Sequence, residues 1–222
     1  IYVVDAAGDK TVEDAAGGTD LVQSSVTFTL QAQVENLTLT GASAINGTGN
    51  TLANLIVGNA ENNVLNGAAG GDTVVGGAGN DTYVVDNTSG SVEVRSGEGV
   101  DLVQSSVSWA LSGNVEKLEL TGSASVQGIG NSLNNVLTGN SGNNHLDGGL
   151  GIDTLTGGAS TDIVFTGAAG VTMTASGVEF LVGGTGNDIV TLGSSGNTVI
   201  TRGIDTLSGG AGTDWVFLGD TG

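Results

Sequence analysis

A nine-residue rhythm restricts the fold of this chain more than any other feature. Most copies open on glycine, and each carries Asp or Asn at its sixth position and one large apolar residue at its eighth, as in Gly76-Gly77-Ala78-Gly79-Asn80-Asp81-Thr82-Tyr83-Val84 and Gly183-Gly184-Thr185-Gly186-Asn187-Asp188-Ile189-Val190-Thr191. A longer period of 81 residues is superposed on it: Tyr2-Val3-Val4-Asp5 returns as Tyr83-Val84-Val85-Asp86, and Asp20-Leu21-Val22-Gln23 returns as Asp101-Leu102-Val103-Gln104. Val34-Glu35 followed by Leu37 returns as Val115-Glu116 with Leu118 and, in a shortened third copy, as Val178-Glu179 with Leu181. A repeat this regular points to a stacked architecture, since one unit alone cannot bury its apolar residue.

Repeated glycines permit positive φ and tight reversals, so the first six residues form a turn and the last three a short strand. Side chains alternate across a strand, which aims the eighth-position residues Leu65, Val74, Tyr83, Leu137, Leu146, Leu155, Val164, Val190, Val199, Leu207 and Val216 inward. Nine residues cannot close a coil, whereas eighteen make two turns and two strands. The expected fold is therefore all-β, an elongated parallel β-roll or β-solenoid with no helices. At a strand spacing of about 4.8 Å, some twelve coils span roughly 55 to 60 Å. The absence of proline fits, because every interior strand must donate to its neighbour. The organisation read from the periods is one continuous solenoid of unit one (1–81), unit two (82–162) and a shortened third unit (163–222). Stretches 6–46 and 87–127 break the nine-residue rhythm but alternate as strands do, and are expected to form longer coils or a widened section of the same solenoid.

Charge narrows the partners. With 4 basic residues against 23 acidic ones and a net charge of −19, the chain cannot build the basic face that nucleic acid needs. Cations are the natural counterpart. No apolar run is long enough to span a membrane. Cysteine is absent, so a chain with this thin, aromatic-poor core needs another staple, and metal is the usual substitute.

Turns eighteen residues apart stack, which pairs the sixth positions: Asn54 with Asp72, Asn63 with Asp81, Asn135 with Asp153, Asn144 with Asp162. In the third unit the spacing is seventeen and pairs Asp188 with Asp205 and Asn197 with Asp214. Asp101, twenty residues beyond Asp81, is a further candidate. Hard oxygens from these side chains, with carbonyls turned out by glycine, suit Ca²⁺, which takes six to eight oxygens. Mg²⁺ suits less well because it demands tight octahedral geometry, and no thiolate or imidazole set exists for a softer metal. Asp188 with Asp205 carries two formal charges and is expected to be the tightest site. The same row is also compatible with a metal-free ladder of hydrogen-bonded Asn and Asp side chains.

These repeats resemble the Gly-Gly-x-Gly-x-Asp-x-U-x motif of RTX (haemolysin-type) proteins, U being large and apolar, over residues 47–86, 128–165 and 183–217. The resemblance implies several bound Ca²⁺ ions, export from a bacterial cell, and folding outside it at the surface or in the medium. Asn in place of Asp at Asn54, Asn63, Asn135, Asn144 and Asn197, and Ser160 in place of a glycine, imply weak or empty sites there. The role expected is a calcium-dependent structural or adhesive module, not an enzyme, with end-to-end self-association or cell-surface attachment as further expectations. Ile1-Tyr2 begins in mid-repeat, as in a section of a longer chain. An accessory module of a secreted protease, lipase or alginate epimerase is the alternative, and ice binding through Thr48 and Thr185 a more distant one. His145, at an outward seventh position, is expected to be a surface residue; no Ser has the His and carboxylate that a triad needs. Trp109, Trp215, Phe28 and Phe217 are expected in the core or at its ends.

Overall fold

A computed structural model of the chain describes residues 1–14, 17–166, 172–183, 187–193, 198–209 and 215–218. Among them there are only strands, two to five residues long and paired in parallel, and no helix. The expected all-β, parallel solenoid architecture is present. The chain folds as two compact units, Ile1–Gln104 with Ser112–Asn114, and Ser105–Leu111 with Val115–Gly222.

In the first unit, from Leu21 onward, successive strands alternate between two sheets. One holds Tyr2–Val4, Leu21–Ser24, Asn36–Leu39, Leu55–Val57, Thr73–Val75 and Ser91–Glu93 in that order; the other holds Phe28–Thr29, Gly47–Thr48, Val64–Asn66, Thr82–Val85 and Leu102–Ser105. Neighbours are thus one coil apart, and the pairs Leu55↔Thr73 and Leu65↔Tyr83 give the eighteen-residue coil that the repeat requires. The stretch 6–46 joins the same sheet with unequal coils. Tyr2↔Val22 closes twenty residues, Leu21↔Asn36 only fifteen, and Asn36↔Leu55 nineteen, so these coils are not uniformly longer. Thr48 is half-buried in its strand, and Thr185 lies outside the described residues.

The second unit repeats the plan. Trp109–Ala110, Gln127–Ile129, His145–Asp147, Ile163–Phe165, Phe180–Val182, Thr198–Arg202 and Trp215–Leu218 form one sheet, and Lys117–Leu120, Val136–Thr138, Ile152–Thr156, Thr172–Ser176, Ile189–Leu192 and Thr206–Ser208 lie in order in the other.

Inward eighth-position residues make the core of each unit. Leu65, Val74 and Tyr83 in the first, and Leu137, Leu146, Leu155, Val164, Val190 and Val199 in the second, are all buried. Leu207 is half-buried and Val216 is 40% exposed; their strands are the last of their sheets among the described residues. Trp215, on the same last strand, is 63% exposed, while Phe28 is buried and Trp109 half-buried. The side chain of Phe217 lies outside what is described. His145 is half-buried on the outer face, its ring centroid 4.2 Å from that of Phe165 and its Nδ1 3.1 Å from Gln127 Nε2.

Because a fully buried leucine is held on all sides by a narrow core, Leu155→Ala is expected to destabilise the calcium-saturated chain by about 2–5 kcal/mol. On the outward face of the same strand Ile152 is 63% exposed, and Ile152→Ala is expected to stay within about 0.5 kcal/mol. Urea midpoints of the two variants check the contrast; equal shifts would contradict the inward register.

Candidate metal centre

Two kinds of turn occur, a pair of the first followed by a pair of the second. In the first, Asn occupies positions two and six after the opening glycine: Gly49-Asn50 with Asn54, Gly58-Asn59 with Asn63, Gly130-Asn131 with Asn135, and Gly139-Asn140 with Asn144. The side chain at position two closes its own turn, since its Oδ1 accepts from the backbone N–H of position four at Leu52, Glu61, Leu133 and Gly142. The side chain at position six is occupied at both ends. Its Oδ1 accepts from the N–H of position two at 2.7 to 2.9 Å. Its Nδ2 donates to carbonyls of the preceding coil, from Asn54 to Val34, Asn63 to Ile45, Asn135 to Val115 and Asn144 to Val126.

The second kind of turn has glycine, or a residue forced into glycine's conformation, at positions two and four. Gly77 and Gly79 have φ of 91° and 114°, Gly149 and Gly151 of 81° and 118°. Ala68 (59°) and Ser160 (78°) adopt the same left-handed conformation without being glycine. Each of these turns ends on an aspartate. One carboxylate oxygen accepts from the backbone N–H of the asparagine one coil earlier: Asp72 from Asn54, Asp81 from Asn63 and Asp153 from Asn135 at 2.8 Å, Asp162 from Asn144 at 2.7 Å. All four anticipated pairs of the first two units are therefore brought into contact.

Asp cannot do what Asn does with its second atom. An amide nitrogen reaches back to a carbonyl; a carboxylate oxygen has nothing to donate. Oδ2 of Asp81, Asp153 and Asp162 is accordingly buried with no hydrogen-bond partner. Burial raises all four carboxyls, with Asp81 and Asp153 reaching about 6; the N–H bond from the paired asparagine opposes this, and the charges of Asp101 and Glu98 beside Asp81, Asp147 beside Asp153, Asp86 beside Asp72 and Glu179 beside Asp162 reinforce it. Burial and the Asp101 and Asp81 charges also push the Tyr83 hydroxyl up.

Asp101 continues the row, accepting at Oδ1 from the N–H of Asp81 at 2.8 Å across a twenty-residue coil. Asp188 is buried and its N–H donates to Asp205 Oδ2 at 2.9 Å, with Asp205 itself exposed. Asn197 and Asp214 lie outside the described residues. Glu35 and Glu179 do not stand out as site residues from the repeats, yet each occupies a rung. Glu35 Oε2 accepts from the N–H of Asp20 at 2.9 Å, and Glu179 Oε2 from that of Asp162 at 2.7 Å. Their recurring Val-Glu-x-Leu context is the signal that points to them.

A family model for the RTX calcium-binding nonapeptide repeat matches in four copies, over residues 48–83, 138–169, 174–201 and 193–220, together just over half of the 222 residues. The chain belongs to the RTX calcium-binding repeat family. Neither a curated protein nor a solved structure matches it. RTX nonapeptide repeats bind Ca²⁺ at multiple sites, and the donors of this chain fit that ion. Among the described residues no three His, Asp or Glu side chains cluster as a metal site, so side chains alone do not make an RTX site here. Backbone carbonyls lie beside the same turns. A Cβ on Gly148 or Gly76 would collide with the orphan oxygen of Asp153 or Asp81, and a Cβ on Gly58 or Gly130 would collide with the carbonyl of Gly76 or Gly148. Glycine at the head of these repeats thus leaves room for an aspartate oxygen in one kind of turn and for a carbonyl of the next coil beside the asparagine Oδ1 in the other, all of them hard donors of the sort calcium takes.

Proposed function

We propose that this chain is a calcium-dependent structural module of a secreted or cell-surface bacterial protein, a β-roll that folds on binding calcium and serves adhesion or scaffolding. The observation carrying this reading is the buried, unpartnered Oδ2 repeated at Asp81, Asp153 and Asp162. A buried acceptor without a partner costs about 1–3 kcal/mol, and a charged one more, so a recurring orphan carboxylate calls for a cation. On this reading Asp72, Asp81, Asp101, Asp153, Asp162, Asp188 and Asp205 supply the charge. Asn54, Asn63, Asn135 and Asn144 hold the aspartates in register through their N–H groups, their own side chains being spent on the ladder. Asn197 and Asp214 join on sequence spacing alone.

Counting bound ions tests it. In Asp81→Asn and Asp153→Asn the amide oxygen still accepts the bond from the preceding asparagine, so the ladder survives while the charge goes. Calorimetric titration of each full-length variant with Ca²⁺ is expected to find fewer ions or at least a tenfold loss in affinity at one site. An unchanged isotherm in both would remove the calcium role from these residues.

A further inference from the structure

Glu179 lies nine residues before Asp188, with Gly177 two positions ahead of it and the buried Leu181 two positions behind. That is the phase of a nonapeptide, Thr174–Val182, whose opening glycines are missing and whose sixth position is Glu instead of Asp. The strand after it, Phe180–Val182, pairs in register with Ile163–Phe165, which puts Glu179 one rung beyond Asp162. The rung is made as the others are, by the Asp162 N–H donating to Glu179 Oε2 at 2.7 Å, while the N–H groups of Glu179 and Phe180 both donate to the Asp162 carbonyl at 3.1 Å.

Asp162 is 0% exposed; Asn144 occupies its Oδ1, and its Oδ2 has no hydrogen-bond partner. That oxygen stands 2.7 Å from the point where a Cβ on Gly157 would be, and the Gly177 carbonyl, from the Glu179 coil, would collide with the same Cβ. An orphan carboxylate oxygen and a carbonyl of the next coil therefore meet beside a glycine, and a second carboxylate sits on the next rung, held by the Asp162 N–H and close enough for its charge to act on the Asp162 carboxyl. The pair Asn144–Asp162 carries one formal charge, whereas Asp162–Glu179 carries two. Glu35 repeats the arrangement on Asp20 ahead of the buried Leu37, although Asp20 is only half-buried.

We propose that Asp162 and Glu179, with the Gly177 carbonyl, form a calcium site in which a glutamate outside the glycine-aspartate motif replaces the sixth-position aspartate. The Val-Glu-x-Leu segment is then a working repeat and not a spacer that lengthens the roll. This rests on the calcium reading above. The oxygen-only donors suit Ca²⁺.

Glu179→Gln tests it in the full chain, because its amide oxygen can still accept from the Asp162 N–H. Calcium titration is expected to show one ion fewer than the parent, or one site at least tenfold weaker, with the same circular dichroism at saturating calcium. Asp162→Asn is expected to lose the same ion, and the double variant no more than either single one. An unchanged isotherm for Glu179→Gln, with an ion lost in Asp153→Asn, would make the glutamate a hydrogen-bonding strut and overturn the proposal while the calcium reading stands. No change in Glu179→Gln, Asp162→Asn or Asp153→Asn would overturn both. Should Glu179→Gln fall short of the parent's β content in calcium, Glu179→Asp takes its place. There a retained ion with affinity altered more than threefold is expected, and an unaltered affinity overturns the site.

Discussion

In excess chelator at neutral pH the chain is expected to lose its β-sheet signal, and to regain it cooperatively when Ca²⁺ is restored. The opposing terms are visible in the ladder. Carboxylates recur on successive rungs, net charge is −19, and two like charges at 4 Å repel by about 1 kcal/mol in water and more where solvent is excluded. Orphan oxygens at Asp81, Asp153 and Asp162 add their own desolvation cost. Against this stands a core about one side chain thick per strand, built on residues such as Leu65, Leu137 and Val164. A ligand that binds only the folded state adds about 2.7 kcal/mol per site at a hundredfold excess over Kd. Three or four such sites rival the whole stability of an ordinary domain, roughly 5–15 kcal/mol. Far-UV circular dichroism followed through a calcium titration from chelator measures the transition. Full β structure in chelator at pH 7.5 would sink the prediction, and an equal response to Mg²⁺ would sink the assignment of the ion.

The inward column was legible because it depends only on strand alternation, which is why Leu146 and Leu155 lie where the nine-residue spacing puts them. The pairing of Asn54 with Asp72 and of Asn63 with Asp81 was legible from coil length alone. The division of labour within those pairs was less so. It turns on the hydrogens an amide carries and a carboxylate lacks, and on Asn50, Asn59, Asn131 and Asn140, whose spacing of four residues ahead of the sixth position matters only once the turn is seen to close on itself. Glu35 and Glu179 are hidden in the sequence because a glutamate is one methylene too long for the motif. The unequal coils of 6–46 offset that length, with Glu35 one fifteen-residue coil beyond Asp20. Exposure of Val216 was invisible to periodicity, which takes no account of where a sheet stops.

Acid is expected to replace calcium in part. Asp81 and Asp153 titrate near pH 6 in the folded chain against 3.8 ordinarily, and Asp72 and Asp162 are raised as well, chiefly by burial. Between about pH 4 and 6 the folded state therefore holds protons that the unfolded chain has released, and stability falls as pH rises through that window. The contribution is fully present below the unfolded value, is lost as pH passes about 6, and stays lost at neutrality. Each tenfold gain in proton affinity on folding is equivalent to about 1.4 kcal/mol, which gives roughly 2 kcal/mol for each of the two most displaced groups after allowance for solvent screening. The calcium-free chain should accordingly recover β structure on acidification from pH 7 towards 4, and calcium binding near pH 5.5 should release protons, since the cation and the proton compete for the same oxygens. Falling surface repulsion would also favour the acid form. The two causes separate in the double variant Asp81→Asn, Asp153→Asn. Its amides mimic the protonated acids, so the chelated protein should be more stable than the parent at pH 7 and show a flatter pH profile, while its surface charge still titrates. An unchanged profile in that variant would remove Asp81 and Asp153 as the source of the acid stabilisation, and calcium binding near pH 5.5 with no proton release would place the orphan oxygens outside the calcium chemistry.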